Sequence, residues 1–407
     1  MKIRHMISKI EYTHILAVIF LAAIFYISTA TLPSAMNEIS ALLGTKRTGI
    51  AASAKKIDDM YVNMLSFRGD PAVNKAAYID FNGLMSRLIG QRFMNDRVRL
   101  DNGHLSFLSA KQTISTPAEQ MTKLFTRQEE RGKSFLFVLT PFQLPLDEDI
   151  LPAGYIDYGH MNSDALLSLL RENGVPVLDL REEMSNDGIS YNDAFYVTDH
   201  HWKPETGFWA YAKIIDCLTK SGDMEPVDKE YTDIDMYEME VYKNLHLGSA
   251  GKRTGIYYAG VEDFGILAPK DPEWGKDISF EVPTSHISVE GSFKDILYNY
   301  ARLDTSHDYY NTELYAGFGY ANRGVKHYHN ESAPTNLRIM AIGDSYAFTT
   351  YPFLSLIAES FDYLEMPLFQ GSFEEYYDDF DPDIVIVMVF AQALNVGNTT
   401  YDFFGDQ

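Results

Sequence analysis

The chain has 407 residues, enough for one large domain with an insertion or for two domains, and 46% of them are apolar, as in a globular protein with a sizeable core. Its 57 acidic residues against 34 basic ones leave a net charge of −23, which excludes a nucleic-acid partner because phosphate binding needs clustered Lys and Arg, and argues against a body lying on anionic lipid. The single cysteine, Cys217, excludes an intrachain disulfide, and no Cys/His cluster has zinc-site spacing.

At the N-terminus, Lys2, Arg4 and Lys9 precede an uncharged stretch from Ile15 to Leu32. Its length suits a short membrane-spanning helix with the basic flank in the cytoplasm. Ser28-Thr29-Ala30 also fits a signal-peptide cleavage site. Both readings export everything after about residue 35, and an uncleaved anchor over 1–35 is the expectation, with the rest of the chain held outside the cell membrane by a single pass. Met36 to Arg68 reads as a polar, partly helical stalk, and residues 69–407 as the body.

Within the body, Pro117 to Arg131 has helical spacing, and Phe135 to Thr140 is a short apolar run ended by Pro141, the form of a buried parallel strand. Ser163 is placed to cap a helix through Leu166, Leu167, Leu169 and Leu170 that Gly174 stops. Val175 to Leu178 reads as the next strand. A helix from about Glu205 to Thr219 sets Phe208, Tyr211, Ile214, Ile215 and Leu218 on one face, with Cys217 as a small buried apolar residue. Residues 222–335 lose the strand–helix alternation and read as an irregular or β-rich insertion. The alternation then resumes with a strand over Leu337–Ile342 that runs into Gly343-Asp344-Ser345, a helix over Pro352–Ser360 and a buried strand over Ile384–Val389. Alternation on both sides of an insertion implies a mostly parallel sheet covered by helices, with ligands bound beyond the carboxyl ends of its strands.

Gly-Asp-Ser falls at that edge. A serine there serves as a turn, a helix cap or a nucleophile, and as a nucleophile it needs a base and an orienting group. Thr198-Asp199-His200-His201-Trp202 offers both. In an extended segment side chains two apart share a side, so Asp199 would hold one ring nitrogen of His201 while His200 points away. The other readings of this segment are a polar turn before the helix, and a metal site, since Asp and His ligate zinc; adjacent residues rarely ligate one ion, and no metal is assigned.

These motifs carry a resemblance. Asp-His-His-Trp at 199–202, Gly-Ser-Ala-Gly-Lys-Arg-Thr-Gly at 248–255 and Gly-Asp-Ser-Tyr at 343–346 resemble the bacterial DHHW family, which is similar to the alginate O-acetylation proteins, exported acyltransferases of SGNH-hydrolase type. The resemblance covers roughly residues 65–395. It implies a three-layer α/β/α SGNH-hydrolase-like sandwich with permuted motif order, the Asp-x-His block preceding the serine. It further implies Ser345 as nucleophile, His201 as base and Asp199 as its orienter, with Asp344 bracing the turn. No Gly-x-Asn-Asp block supplies an oxyanion-hole asparagine, which leaves Gln392 or Asn395 as donors, and Tyr346 and Arg253 as pocket residues. The implied partners are a polysaccharide acceptor and a membrane-embedded acyltransferase that passes on the acetyl group; no cofactor is implied.

Overall fold

The computed structural model describes residues 75–390 apart from 148 and 322, together with 18, 21, 22, 401, 403 and 404. The expected span over 15–32 falls outside the described residues but for Val18, Leu21 and Ala22, and the stalk over 36–68 falls outside them altogether. Among the described residues no helix is long and apolar enough to cross a membrane. Residues 1–81 and 82–407 form separate units, and the second is the unit described below.

Thirteen strands among the described residues make three sheets. β1 (Phe93–Met94), β2 (Arg97–Arg99) and β3 (Leu105–Ser106) form a small antiparallel sheet. The main sheet has eight strands in the order β5-β4-β13-β11-β12-β10-β8-β9. Its first half is parallel: β5 (Val177–Asp179), β4 (Ser134–Thr140), β13 (Ile384–Phe390), β11 (Thr335–Gly343) and β12 (Ala358–Glu365). Its second half, β10 (Val325–Asn330), β8 (Ile278–Val282) and β9 (Ile287–Glu290), is antiparallel. β6 (Tyr237–His246) and β7 (Glu262–Pro269) pair separately.

Every residue of β13 is buried, as a strand covered on both faces requires. The helix Ser115–Glu130 packs beside β4, and the helix Pro204–Ser221 buries the face read from its spacing, Phe208, Tyr211, Ile214, Ile215 and Leu218. Pro204 opens that helix and Gly222, at φ +84°, closes it, as the missing N–H of one and the left-handed freedom of the other allow. Cys217 lies on this helix only half-buried, rather than inside the core.

The structure corrects three of these sequence expectations. The main sheet is mixed rather than mostly parallel, because β8 to β10, within the expected insertion over 222–335, build its second half. The helix expected over Pro352–Ser360 is a 3-10 segment, Tyr351–Leu356, and then β12 begins at Ala358. Phe361, Tyr363 and Leu364 are buried there between β11 and β10, and that packing outweighs the local pattern. Ser163 is not a helix cap: the helix runs Gly159–Glu172, Asp157 accepts from the Gly159 N–H at 2.7 Å, and the Ser163 hydroxyl donates back to the Gly159 carbonyl at 2.8 Å. At the end of β11, Gly343 lets the strands approach, since a Cβ there would lie 2.9 Å from the Met388 carbonyl on β13.

Candidate active site

β11 ends at the carboxyl edge of the parallel half, and Asp344 caps the 3-10 turn Ser345–Thr349 that follows. Its carboxylate accepts from the Tyr346 N–H at 3.0 Å and from the Phe390 N–H, at the end of β13, at 2.9 Å. The Tyr363 hydroxyl donates to the Asp344 carbonyl at 2.9 Å, so β11, β12 and β13 are laced together where the chain turns. Burial pushes the Asp344 carboxyl up to about 6, against the two backbone donors. Asp344 therefore braces the turn, and Ser345 stands at its start, partly exposed.

The histidine segment is a bend closed by a bridge between Phe195 and Trp202, not an extended strand. The Trp202 indole N–H donates to the Tyr346 carbonyl at 2.9 Å, and the Tyr346 hydroxyl donates to the His200 carbonyl, so the two motifs clasp each other. This clasp brings His201 Nε2 to 2.7 Å from Ser345 Oγ, while His201 Nδ1 lies 2.6 Å from Asp199 Oδ1. A carboxylate only accepts, so Nδ1 carries the proton and Nε2 is left to accept from the serine hydroxyl. Asp199 and His201 are almost fully buried.

The carboxylate of Asp199 is held from several directions. The Ser249 N–H, at the start of the helix Ser249–Thr254, donates to Oδ2 at 2.6 Å, and the His201 N–H to Oδ1 at 3.2 Å. Gly248 must be glycine, since a Cβ would meet Asp199 Cβ at 2.3 Å. Thr198 takes the Gly248 N–H on its hydroxyl and the Gly251 N–H on its carbonyl, both at 2.8 Å, and donates its own hydroxyl to Glu262 at 2.6 Å. Gln143 donates to the Asp199 carbonyl at 2.7 Å. The Tyr315 ring stacks on His201 at 3.9 Å between centroids. Gln143, Glu262 and Tyr315 had no signal in the sequence beyond being polar or aromatic; the glycines at 248 and 251 were the visible trace of the close approach.

Burial alone would raise the Asp199 carboxyl, but the two histidines facing it hold it well below the usual carboxylate range. Burial, with His200 beside it, pushes the His201 imidazole down to about 4, against the pull of Asp199. At neutral pH the pair is an ionised carboxylate and a neutral imidazole, the state in which a histidine takes a proton from a hydroxyl.

His200 does not point away: its Nδ1 lies 3.1 Å from Asp199 Oδ1, and its ring sits 3.9 Å from that of His201. Asp199, His200 and His201 are thus the one group among the described residues whose ligand atoms gather closely enough for a metal ion. Both nitrogens of His201 are already engaged, with Asp199 and Ser345. An ion in this group would have to displace one of those bonds.

Tyr346 is fully buried, stacked on Phe390 at 4.1 Å, and supports the histidine bend rather than lining an open pocket. Arg253 is exposed on the helix whose first amide holds Asp199, and its carbonyl accepts from Asn95 at 2.6 Å. The nearby Arg97 lies 5.2 Å over the Phe107 ring, which in turn packs against His200. Among the described residues neither Arg97 nor Arg253 has a carboxylate within 4.0 Å. Gln392 and Asn395 fall outside the described residues. The Tyr346 and Phe390 amides are taken by Asp344, whereas the Ser345 N–H has no acceptor among the described residues.

Residues 103–237 match the family model of the SGNH hydrolase-like domain of the acetyltransferase AlgX, a stretch that holds Asp199 and His201 but not Ser345. Among curated protein sequences none matches the chain. The structure of Bacillus cereus PatB1 with a sulfonyl adduct has 18% identity and a TM-score of 0.62, covering 76% of this chain and 100% of that one. A DHHW family protein from Eubacterium siraeum has 13% identity and a TM-score of 0.54, over 76% and 95%. The O-acetyltransferase domain of Pseudomonas putida AlgJ has 10% identity and a TM-score of 0.44, over 74% and 93%. The chain is therefore similar over 103–237 to the SGNH hydrolase-like domain of AlgX, and it shares the α/β fold of PatB1 and of the DHHW protein.

Proposed function

We propose that this chain is a serine-dependent O-acetyltransferase that modifies a polysaccharide outside the cytoplasm. The observation that carries the reading is the hydrogen-bonded series Asp199–His201–Ser345, at 2.6 and 2.7 Å, at the carboxyl edge of the parallel half of the main sheet. His201 Nε2 takes the proton of Ser345 as Oγ attacks the carbonyl carbon of an acetyl donor. The tetrahedral intermediate collapses, the leaving group receives that proton from His201, and the acetyl group stays on Ser345. A sugar hydroxyl, deprotonated by the same nitrogen, then attacks the acyl-enzyme; the acetyl ester of the sugar forms and Ser345 recovers its proton. The Ser345 amide is the donor within the described residues that suits the developing oxyanion. The match to an acetyltransferase domain supports acetyl transfer, and the sulfonyl adduct of PatB1 suits a nucleophile in this fold.

The uncharged stretch 15–32 would hold the body at the membrane, beside a membrane-embedded acyltransferase that supplies the acetyl group. The test is release of acetate from a chromogenic acetyl ester by the full chain and by Ser345→Ala, run with and without an oligosaccharide acceptor and read by mass. Transfer predicts an acceptor heavier by one acetyl group. Free acetate with an unchanged acceptor makes the protein an esterase, and unchanged turnover in Ser345→Ala overturns the triad.

A further inference from the structure

The antiparallel half of the main sheet, together with the adjoining β12 and β11, carries a second polar cluster that the chemistry at Ser345 does not use. Side chains two apart on a strand share a face, and partners across a ladder stand side by side. His327 of β10 pairs with both Glu281 of β8 and Asp362 of β12, and His329 pairs with Ser279 and Ser360. Tyr376, Asp379 and Phe380, from the helix Phe373–Phe380, wall this face, and Arg338 lies 5.0 Å over the Phe380 ring. Together they enclose a cleft of about 530 Å³, within the range of sites for small molecules.

The floor of the cleft is held in place. Asp362 is 3% exposed and accepts from His327 Nδ1 at 2.8 Å and from the Tyr376 hydroxyl. With Nδ1 committed as donor, Nε2 of His327 has no partner among the described residues. Burial would lower the His327 imidazole, but the Asp362 carboxylate outweighs it and raises it. Asp362 pairs with Met340 and Ser360 with Arg338, five and seven residues before Ser345 on the parallel strand. At about 3.3 Å per residue the cleft lies roughly 15–25 Å from the serine along the strands.

We propose that this cleft is a second, non-catalytic binding site for a neutral oligosaccharide, a stretch of the acceptor chain held away from Ser345. A sugar presents hydroxyls that both donate and accept, and ring C–H faces that lie on aromatic side chains. The cleft answers each: Glu281 and Asp379 accept, Arg338 donates, Ser279 and Ser360 do both, and the Tyr376 and Phe380 rings add apolar surface to its lining. An apolar ligand would strand those polar groups. Three carboxylates against one guanidinium disfavour a polyanion. The identity of the ligand as acceptor rests on the acetyltransferase reading; the presence of a sugar site does not.

The test titrates the full chain with cellotetraose and chitotetraose, with tetragalacturonate as the anionic control, by calorimetry. A neutral tetrasaccharide is expected to bind, and Glu281→Gln, an exposed change, and Tyr376→Ala to weaken it at least tenfold. Tyr376→Phe, which keeps the ring, guards against a folding defect and should retain most of the affinity. Ser345→Ala should bind as the unmodified chain does, and Glu281→Gln should turn over a small chromogenic ester normally. No binding of either neutral sugar, equal binding of the anionic one, or full affinity in both Glu281→Gln and Tyr376→Ala overturns the proposal. Normal ester turnover in Ser345→Ala would overturn the acetyltransferase reading and leave the sugar result standing.

Discussion

The two halves of the main sheet put functional groups in different places. In the parallel half, β4 and β13 are buried on both faces, so no residue along them is free for a ligand. Beyond the carboxyl ends of this half, Asp344 laces β11 to β13 and Ser345 meets His201. In the antiparallel half, β8 and β10 alternate buried residues with partly or fully exposed ones, and the less buried face carries the cleft around His327. A strand covered on both sides lends its end to function, whereas a strand covered on one side lends its face.

The largest expected effect tests the parallel edge. Asp199→Asn presents an amide to His201 Nδ1 and favours the wrong tautomer, so turnover of a chromogenic ester should fall about 10⁴-fold, with cleft binding unchanged. A fall of less than tenfold would remove Asp199 from the orienting role. Next comes core packing. Ile386→Ala on β13, fully buried, should cost about 2–5 kcal/mol in urea unfolding, whereas Val289→Ala on the edge strand β9, half-buried, should cost under about 1 kcal/mol. Equal costs would contradict the contrast between the halves.

A smaller effect follows from the buried imidazoles. His201 and His104 are each pushed down to about 4, chiefly by burial. The unfolded chain takes up these protons near pH 6.5, before the folded chain does. Stability is therefore complete above about pH 6.5 and is lost as pH falls from there towards about 4, by at most about 3 kcal/mol for each histidine. Urea midpoints at pH 7, 5.5 and 4 check this, and a midpoint that holds steady or rises on acidification contradicts it. For the same reason ester turnover should show no inflection near pH 6.5. The smallest effect is that of a chelator: if Asp199, His200 and His201 work without an ion, dialysis against EDTA should change turnover less than twofold.

Much of the parallel half was legible. The apolar runs at 135–140 and 384–389 and the stripe from Phe208 to Leu218 are the elements found. The antiparallel strands were hidden because short alternating segments such as Ile287-Ser288-Val289 do not announce which sheet they join. β12 was hidden by Pro352, and by polar residues such as Glu359 and Asp362 that suit a helix surface as well as a strand. At the site, Ser345, His201 and Asp199 were named from motif and spacing and do lie in hydrogen-bond contact. A bend, not the extended segment expected, brings Asp199 to His201, and it brings His200 as well. The supports at Gln143, Glu262 and Tyr315 come from distant segments, so no local pattern could reveal them.

Covalent labelling tests most directly whether Ser345 is the nucleophile. The full chain is treated with phenylmethanesulfonyl fluoride at pH 7.5, digested and mapped by mass spectrometry, with His201→Ala alongside. A sulfonyl group on Ser345, with loss of ester turnover in step and labelling slowed at least a hundredfold in His201→Ala, is the expected result. An unlabelled Ser345 in a protein that turns over esters, or equal labelling in His201→Ala, would contradict it.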